Sequence, residues 1–163
     1  MKTLFLLRHA KAENAAPGSS DFDRALQDRG RRDARALGVF IKELALKFDR
    51  VLCSNAVRAR ETAELVLAAA DLWLEVDLDE RIYEAPRSKL LEVLAEVQED
   101  NNVLMVGHNP GMEELLRSLT HSVGSMATCA FAKIDLEADQ WSEVGDIPGS
   151  LDWIVKPEKL NAG

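Results

Sequence analysis

The chain has 163 residues, 20 Lys and Arg against 28 Asp and Glu, a formal net charge of −8, and 47% hydrophobic and 29% charged residues. These numbers describe one ordinary soluble domain, able to bury about two-thirds of its unfolded surface without disulfides or a structural metal, and too short for a second large domain. The acidic balance argues against a general binder of nucleic acid or of an anionic membrane, because either would meet repulsion from the protein's own field; a local basic pocket is compatible with it.

Only Leu4 to Leu7 are uninterrupted apolar residues before Arg8, short of the roughly 7 to 15 of a signal core, so residues 3–7 are predicted as a buried strand rather than a leader. A polar loop follows over 11–23. From about 28 to 48 the apolar residues Ala34, Leu37, Ile41, Leu44, Ala45 and Phe48 recur at three- and four-residue steps, the mark of an amphipathic helix. Residues 50–53 are short and β-prone. Ser54 and Asn55 offer caps for a helix carrying Ala59, Ala63, Val66, Leu67 and Ala70, and 72–78 alternates like a third strand.

Pro86 suits the first turn of a helix bearing Leu90, Leu91, Leu94 and Val97. Residues 103–106 are wholly apolar, as a strand covered on both faces should be, and Asn109-Pro110 opens a helix bearing Met112, Leu115, Leu116 and Leu119. Residues 128–136 and 151–155 read as further strands. No run approaches the roughly 18 to 20 apolar residues needed to cross a bilayer. Strands alternating with helices imply a three-layer α/β/α sandwich with a mostly parallel central sheet, with room for antiparallel strands near the C-terminus.

In such sheets ligands bind beyond the carboxyl ends of the strands. Arg8-His9 follows the first strand, Ser54-Asn55-Ala56-Val57-Arg58 the second, and Gly107-His108-Asn109-Pro110 the fourth. Each alone has a plain reading: a surface dipeptide, a solvated helix face, a histidine bonded between strand and helix. Yet Arg58 would sit in a first helical turn, where a cation opposes the helix dipole at a cost of about 0.3 to 1 kcal/mol that an anion would offset. Gly107 would allow close approach of a ligand, and the helix after Pro110 would aim free N–H groups at it.

Jointly, two Arg and two His at one sheet edge predict an oxyanion pocket. Guanidinium groups match phosphate geometry, and a neutral imidazole supplies a nucleophilic lone pair. HExxH, P-loop and GxGxxG patterns are absent and His121 stands alone, so no metal and no dinucleotide cofactor is implied. Cys53 and Cys129 lie in apolar stretches without CxxC spacing, which favours reduced thiols in the cytoplasm and no catalytic part.

Residues 6–13 (LLRHAKAE), 54–63 (SNAVRARETA) and 106–111 (VGHNPG) resemble, in order and spacing, the histidine phosphatase superfamily, once named for phosphoglycerate mutase. The segment Asp21-Phe22-Asp23-Arg24-Ala25-Leu26 followed by Gly30 makes the chain most similar to the SixA-type phosphohistidine phosphatases. Ala10 stands where much of the superfamily has Gly, a change common in this branch. The resemblance, over about residues 2–155, implies a phosphoglycerate mutase-like fold and two-step, metal-independent phosphoryl transfer. In it His9 is the nucleophile, and Arg8, Arg58 and His108 hold the phosphoryl oxygens. It implies Glu80 as first candidate for the acid that protonates the leaving group and Glu84 as second. The resemblance also implies that Arg24 approaches the phosphate, while Arg29, Arg31, Arg32 and Arg35 read as a charged loop and helix face.

Thr128 matches a position near the pocket in relatives, though a strand-edge threonine is the plainer reading, and Lys11 adds positive potential at the rim. Trp73, Trp141 and Trp153 read as packing. The absence of an inserted subdomain between Glu80 and Pro86 favours a phosphorylated protein as substrate over a small phosphorylated metabolite. The alternatives are a small-molecule phosphatase of the same superfamily and a non-catalytic module that binds phosphorylated ligands.

Overall fold

In the first strand, β1 (Lys2–Arg8), Phe5 and Leu7 point into one apolar cluster while Leu4 and Leu6 point into another. This two-sided burial requires a layer of helices on each face of the sheet. In the structure, a computed structural model that describes residues 1–160, both layers are present. The helices α1 (Asp28–Glu43) and α2 (Val57–Ala69) bury Leu37, Ile41, Ala63 and Val66 against the Phe5 side. The helices α3 (Arg87–Ala95) and α4 (Gly111–Thr120) bury Leu90, Leu94, Met112 and Leu115 against the Leu4 side. A short α5 (Pro157–Leu160) lies beside α1.

The remaining strands are β2 (Arg50–Cys53), β3 (Val76–Leu78), β4 (Asn102–Gly107), β5 (Phe131–Leu136) and β6 (Gly149–Val155), and the sheet order is β3-β2-β4-β1-β5-β6. The first four strands of that order run parallel, and β5 and β6 add antiparallel pairs, as expected for the C-terminal part. Neighbours β1 and β4 lead into α1 and α4 on opposite faces, so the chain parts between them and a crevice opens at their carboxyl ends.

The expected elements differ from the observed ones where local backbone overrides the pattern. The first helix stops at Glu43 because Ala45 takes a left-handed φ of 54°; Phe48 still reaches the core, edge-on to Phe5 with centroids 4.9 Å apart. The third strand is only Val76–Leu78, since β2 offers it three partners, and Trp73 is 88% exposed rather than packed. Trp141 is buried and donates through Nε1 to the Asp100 carbonyl at 2.6 Å, and Trp153 packs against Phe40 and Phe131, as packing residues should. The strand expected from residue 128 begins at Phe131, because Cys129 is left-handed and its N–H donates to the carbonyls of Arg8 and His9, both at 3.0 Å. That fold-back lays residues 126–130 over the end of β1.

Gly30 ties α1 to the segment after β1. A Cβ there would stand 2.2 Å from the Lys11 carbonyl oxygen, a backbone atom that no rotamer change can move. Gly→Ala inside a helix ordinarily stabilises by about 1 kcal/mol. Gly30→Ala is expected instead to destabilise by about 1–3 kcal/mol through overpacking, read from the urea midpoint; a midpoint that rises contradicts the close approach.

Candidate active site

Parallel pairing of β1 with β4 sets Leu7 opposite Val106 and Arg8 opposite Gly107. The next residues, His9 and His108, therefore leave adjacent strands side by side, with ring centroids 5.1 Å apart. One strand further out, the Ser54 N–H donates to the Val106 carbonyl at 3.0 Å, and the chain turns into α2 with Arg58 in its first turn, buried at 3% exposure. Thr62, one turn later and fully buried, accepts from the Ala10 N–H at 3.0 Å and donates to the Arg58 carbonyl at 2.7 Å. It thus locks the His9 segment to the Arg58 turn. Arg8, His9, Arg58 and His108 line a single cavity of about 250 Å³. Lys11, Arg24 and Thr128 line it too, so it holds four cations against two carboxylates, Asp21 and Glu84, in a chain whose net charge is −8.

Hydrogen bonds assign one histidine's tautomer. His9 Nδ1 lies 2.8 Å from the Ala10 carbonyl; a carbonyl only accepts, so Nδ1 carries the proton and Nε2 keeps its lone pair. His108 Nε2 lies 2.7 Å from the Ser54 hydroxyl oxygen, and the Ala56 N–H donates to that oxygen at 3.2 Å. Burial, reinforced by the field of Arg58, Arg8 and Arg24, pushes His9 down to about 4 despite the opposing Ala10 bond. Burial, with His9 and Arg58 beside it, pushes His108 down to about 3. Both rings are therefore neutral near pH 7. Among the described residues, the buried side-chain nitrogens and oxygens without a partner are Arg8 Nε, Arg58 Nε, His108 Nδ1 and Asn55 Oδ1. Three of these four belong to the Arg/His quartet, and an oxyanion is the kind of ligand that supplies acceptors to guanidinium donors.

Asp21 enters the sequence reading only as part of the shared segment from Asp21 to Leu26, and that reading gives no part to Tyr83 or to the hydrogen bond between Ser54 and His108. Asp21 Oδ2 accepts from Arg58 Nη2 at 3.1 Å and from the Tyr83 hydroxyl at 2.5 Å, while Oδ1 accepts from Arg24 Nη1 at 2.9 Å. The Tyr83 hydroxyl, then Arg24 and Arg58, hold its carboxyl far below the usual carboxylate range. Besides that segment, the three-residue spacing of Asp21 and Arg24 is a signal that could have pointed to their pairing.

Arg24 lines the cavity, its Nε donating to the Glu13 carbonyl at 2.6 Å. Glu80 is not brought there. It opens a 3-10 turn (Glu80–Ile82) that buries Ile82 and leaves the Glu80 side chain exposed. Glu84, left-handed at φ 49°, is the carboxylate of this segment that lines the cavity. Gly107 makes room for protein rather than for a ligand, since a Cβ there would meet Ile82 Cγ2 at 3.1 Å and Met112 Sδ at 3.2 Å. The first N–H groups of α4 are also engaged internally: Met112 donates to the His108 carbonyl and Glu113 to Asn109 Oδ1. Arg8 donates through Nη1 to the Met126 carbonyl at 3.1 Å, held there by the fold-back before β5. Cys53 and Cys129 are buried free thiols. Burial pushes Cys53 up to about 12 and raises Cys129 further, so neither is a thiolate at neutral pH.

The pattern of the histidine phosphatase superfamily (branch 1) matches residues 4–89, and the chain belongs to that family. An uncharacterised protein of Mycobacterium tuberculosis is 35% identical over 126 residues, 76% of each chain. A solved structure from Agrobacterium tumefaciens, assigned by its name to the phosphohistidine phosphatase SixA, superposes with a TM-score of 0.83 at 28% identity. That match covers 96% of this chain and 98% of the other. The protein histidine phosphatase SixA complexed with tungstate superposes with a TM-score of 0.79 at 24% identity, covering 98% and 99%, and shares the phosphoglycerate mutase-like fold.

Both histidines have folded-state pKa values below the ordinary 6.5. The unfolded chain therefore binds more protons as the pH falls from 6.5 towards 4, and stability must decline through that window. In phosphate-free protein, ring-nitrogen NMR titration is expected to find His9 and His108 uncharged at pH 6, with midpoints near 4 and 3. A midpoint near 6.5 for either ring contradicts the buried pocket.

Proposed function

We propose that this chain is, as a single domain, a cytoplasmic phosphatase that hydrolyses protein phosphohistidine through a phosphohistidine of its own at His9, without a metal. The observation that carries the reading is the His9 ring: neutral, with its proton held on Nδ1 by Ala10 and its Nε2 free beside three cationic side chains. The lone pair of Nε2 attacks phosphorus, and the P–N bond to the substrate imidazole breaks. The leaving nitrogen takes the bonding pair and then a proton. Water next attacks the phosphorus of the intermediate, the bond to Nε2 breaks, and inorganic phosphate leaves with His9 restored. Arg8, Arg58 and His108 surround the equatorial oxygens, where charge is spread in a loose phosphoryl-transfer transition state that needs alignment and electrostatic stabilisation more than covalent help.

Arg24 and Lys11 extend the positive potential to the rim. Glu84 lines the cavity; as a carboxylic acid it gives its proton to the leaving nitrogen, and as the resulting carboxylate it takes one back from the attacking water. An imidazole leaving group makes a modest demand on such an acid. The cavity of about 250 Å³ holds little beyond a phosphoryl group and one ring, which suits a side chain presented from a protein surface more than an enclosed metabolite. The likeness to SixA proteins supports the same choice, and the buried free cysteines suit a reducing compartment.

Phosphate release from a phosphohistidine peptide and from a panel of sugar and nucleotide phosphates, all in EDTA, tests the proposal. The expected result is turnover that persists in EDTA and is fastest on phosphohistidine. His9→Ala should lose it entirely, and His108→Ala should lose about 10²–10³-fold in kcat, as expected for one transition-state donor. Faster turnover of a metabolite selects the small-molecule phosphatase instead. Phosphate binding with no turnover on any substrate selects a binding module.

A further inference from the structure

The Asp21 carboxylate lies at the cavity yet has no part in the two-step reaction, and its bonds are unusual. Both terminal nitrogens of Arg58 donate to this one residue, Nη1 to its main-chain carbonyl at 2.9 Å and Nη2 to Oδ2 at 3.1 Å. A guanidinium held at two points on one edge cannot swing without breaking both bonds, and its Nε, on the other side, has no partner. The other carboxylate oxygen, Oδ1, takes Arg24 Nη1 at 2.9 Å. The Tyr83 hydroxyl, donating to Oδ2, holds its ring edge-on to His108, with centroids 5.5 Å apart, and 5.8 Å from the Arg58 guanidinium carbon. One carboxylate thus binds α2, the segment after the Glu80–Ile82 turn and its own 3-10 turn (Asp21–Asp23).

We propose that Asp21 is a positioning residue with two opposed effects: it fixes Arg58, Arg24 and Tyr83 around the reacting phosphoryl group, and its negative charge weakens the cavity's hold on free phosphate. The proposal rests on the phosphatase reading and adds a group that reading does not use. Orientation acts in the transition state, where the arginines must meet oxygens in fixed places. Repulsion acts on any bound dianion, the product included, so the same residue keeps phosphate from lingering. Arg24 caps the 3-10 turn that Asp21 opens, its N–H donating to the Asp21 carbonyl at 3.2 Å, which keeps the two side chains together.

Asp21→Asn separates the two effects. The amide keeps one acceptor but turns an NH2 group towards a donor, and it removes the charge. The expected result is a kcat lower by about 10- to 100-fold, as for a lost outer partner of a functional group. Inorganic phosphate, titrated calorimetrically, should bind as tightly as to the wild type or several-fold more tightly. Tyr83→Phe should lower kcat less, and the double variant should be no slower than Asp21→Asn, because the hydroxyl acts through the carboxylate. An unchanged kcat, losses that add in the double variant, or phosphate binding weakened in step with kcat each overturn the proposal; the last is what plain structural damage would give.

If Asp21→Asn does not fold, Tyr83→Phe carries the test: kcat should fall with phosphate affinity retained, and an unchanged kcat overturns the role. Should the wild type turn over no substrate, the phosphatase reading fails by itself. The phosphate titration of Asp21→Asn then still judges Asp21, with weaker binding counting against it.

Discussion

The parallel pairing of β1 with β4, in the register that sets Arg8 opposite Gly107, is the constraint on which the rest of the site depends. It delivers two imidazoles to one edge of the sheet, and the opposite departures of α1 and α4 leave the crevice open above them. A slip of one residue in that register would send His9 and His108 to different depths and faces. The register is secured by burial on both sides of both strands, so the hydrophobic core and the polar site share one cause. Thr62 and the fold-back around Cys129 then fasten the loops to the strand ends, through hydrogen bonds that the buried backbone requires in any case.

Burial also explains the electrostatics. Gathering Arg8, Arg24, Arg58 and Lys11 around two histidines would be self-defeating if the rings charged as well. Desolvation keeps them neutral, and the cations reinforce that choice. A neutral ring can be a nucleophile, whereas an imidazolium cannot. The positive charge is left available for an anion instead, within a chain that is acidic as a whole. Asp21 fits the same economy, because a cluster of cations without an internal anion would push its own members apart.

Much of the fold was legible because its signals are strong. The apolar runs of β1 and β4 could only be covered strands, and the three- and four-residue steps of α1, α3 and α4 could only be helices. The Arg/His quartet was legible because strand ends can be located once strands are. What could not be read depends on single backbone angles or on contacts made at a distance. Nothing in the polar segment between β1 and α1 has a periodicity, so Asp21 carried no mark of its bonds to Arg58 and Tyr83. Which of Glu80 and Glu84 lines the cavity turns on a 3-10 turn and one left-handed residue. Trp73 reads as packing because the three tryptophans are too scattered for a stacking platform, but β3 pairs with β2 only from Val76 on and Trp73 lies exposed before it. Gly107 invited a ligand only until Ile82 and Met112 were seen to fill its space.

In the proposed mechanism the Nε2 atom of His9 takes the phosphoryl group, because Nδ1 is committed to the Ala10 carbonyl. Rapid mixing with a phosphohistidine peptide, followed by an alkaline quench and mass spectrometry of the digested protein, addresses it directly. An acid-labile, alkali-stable phosphate is expected on the His9 peptide, with NMR coupling between phosphorus and Nε2. Phosphate bonded to Nδ1, phosphate on another residue, or steady turnover with no phosphoenzyme at any time point would contradict it.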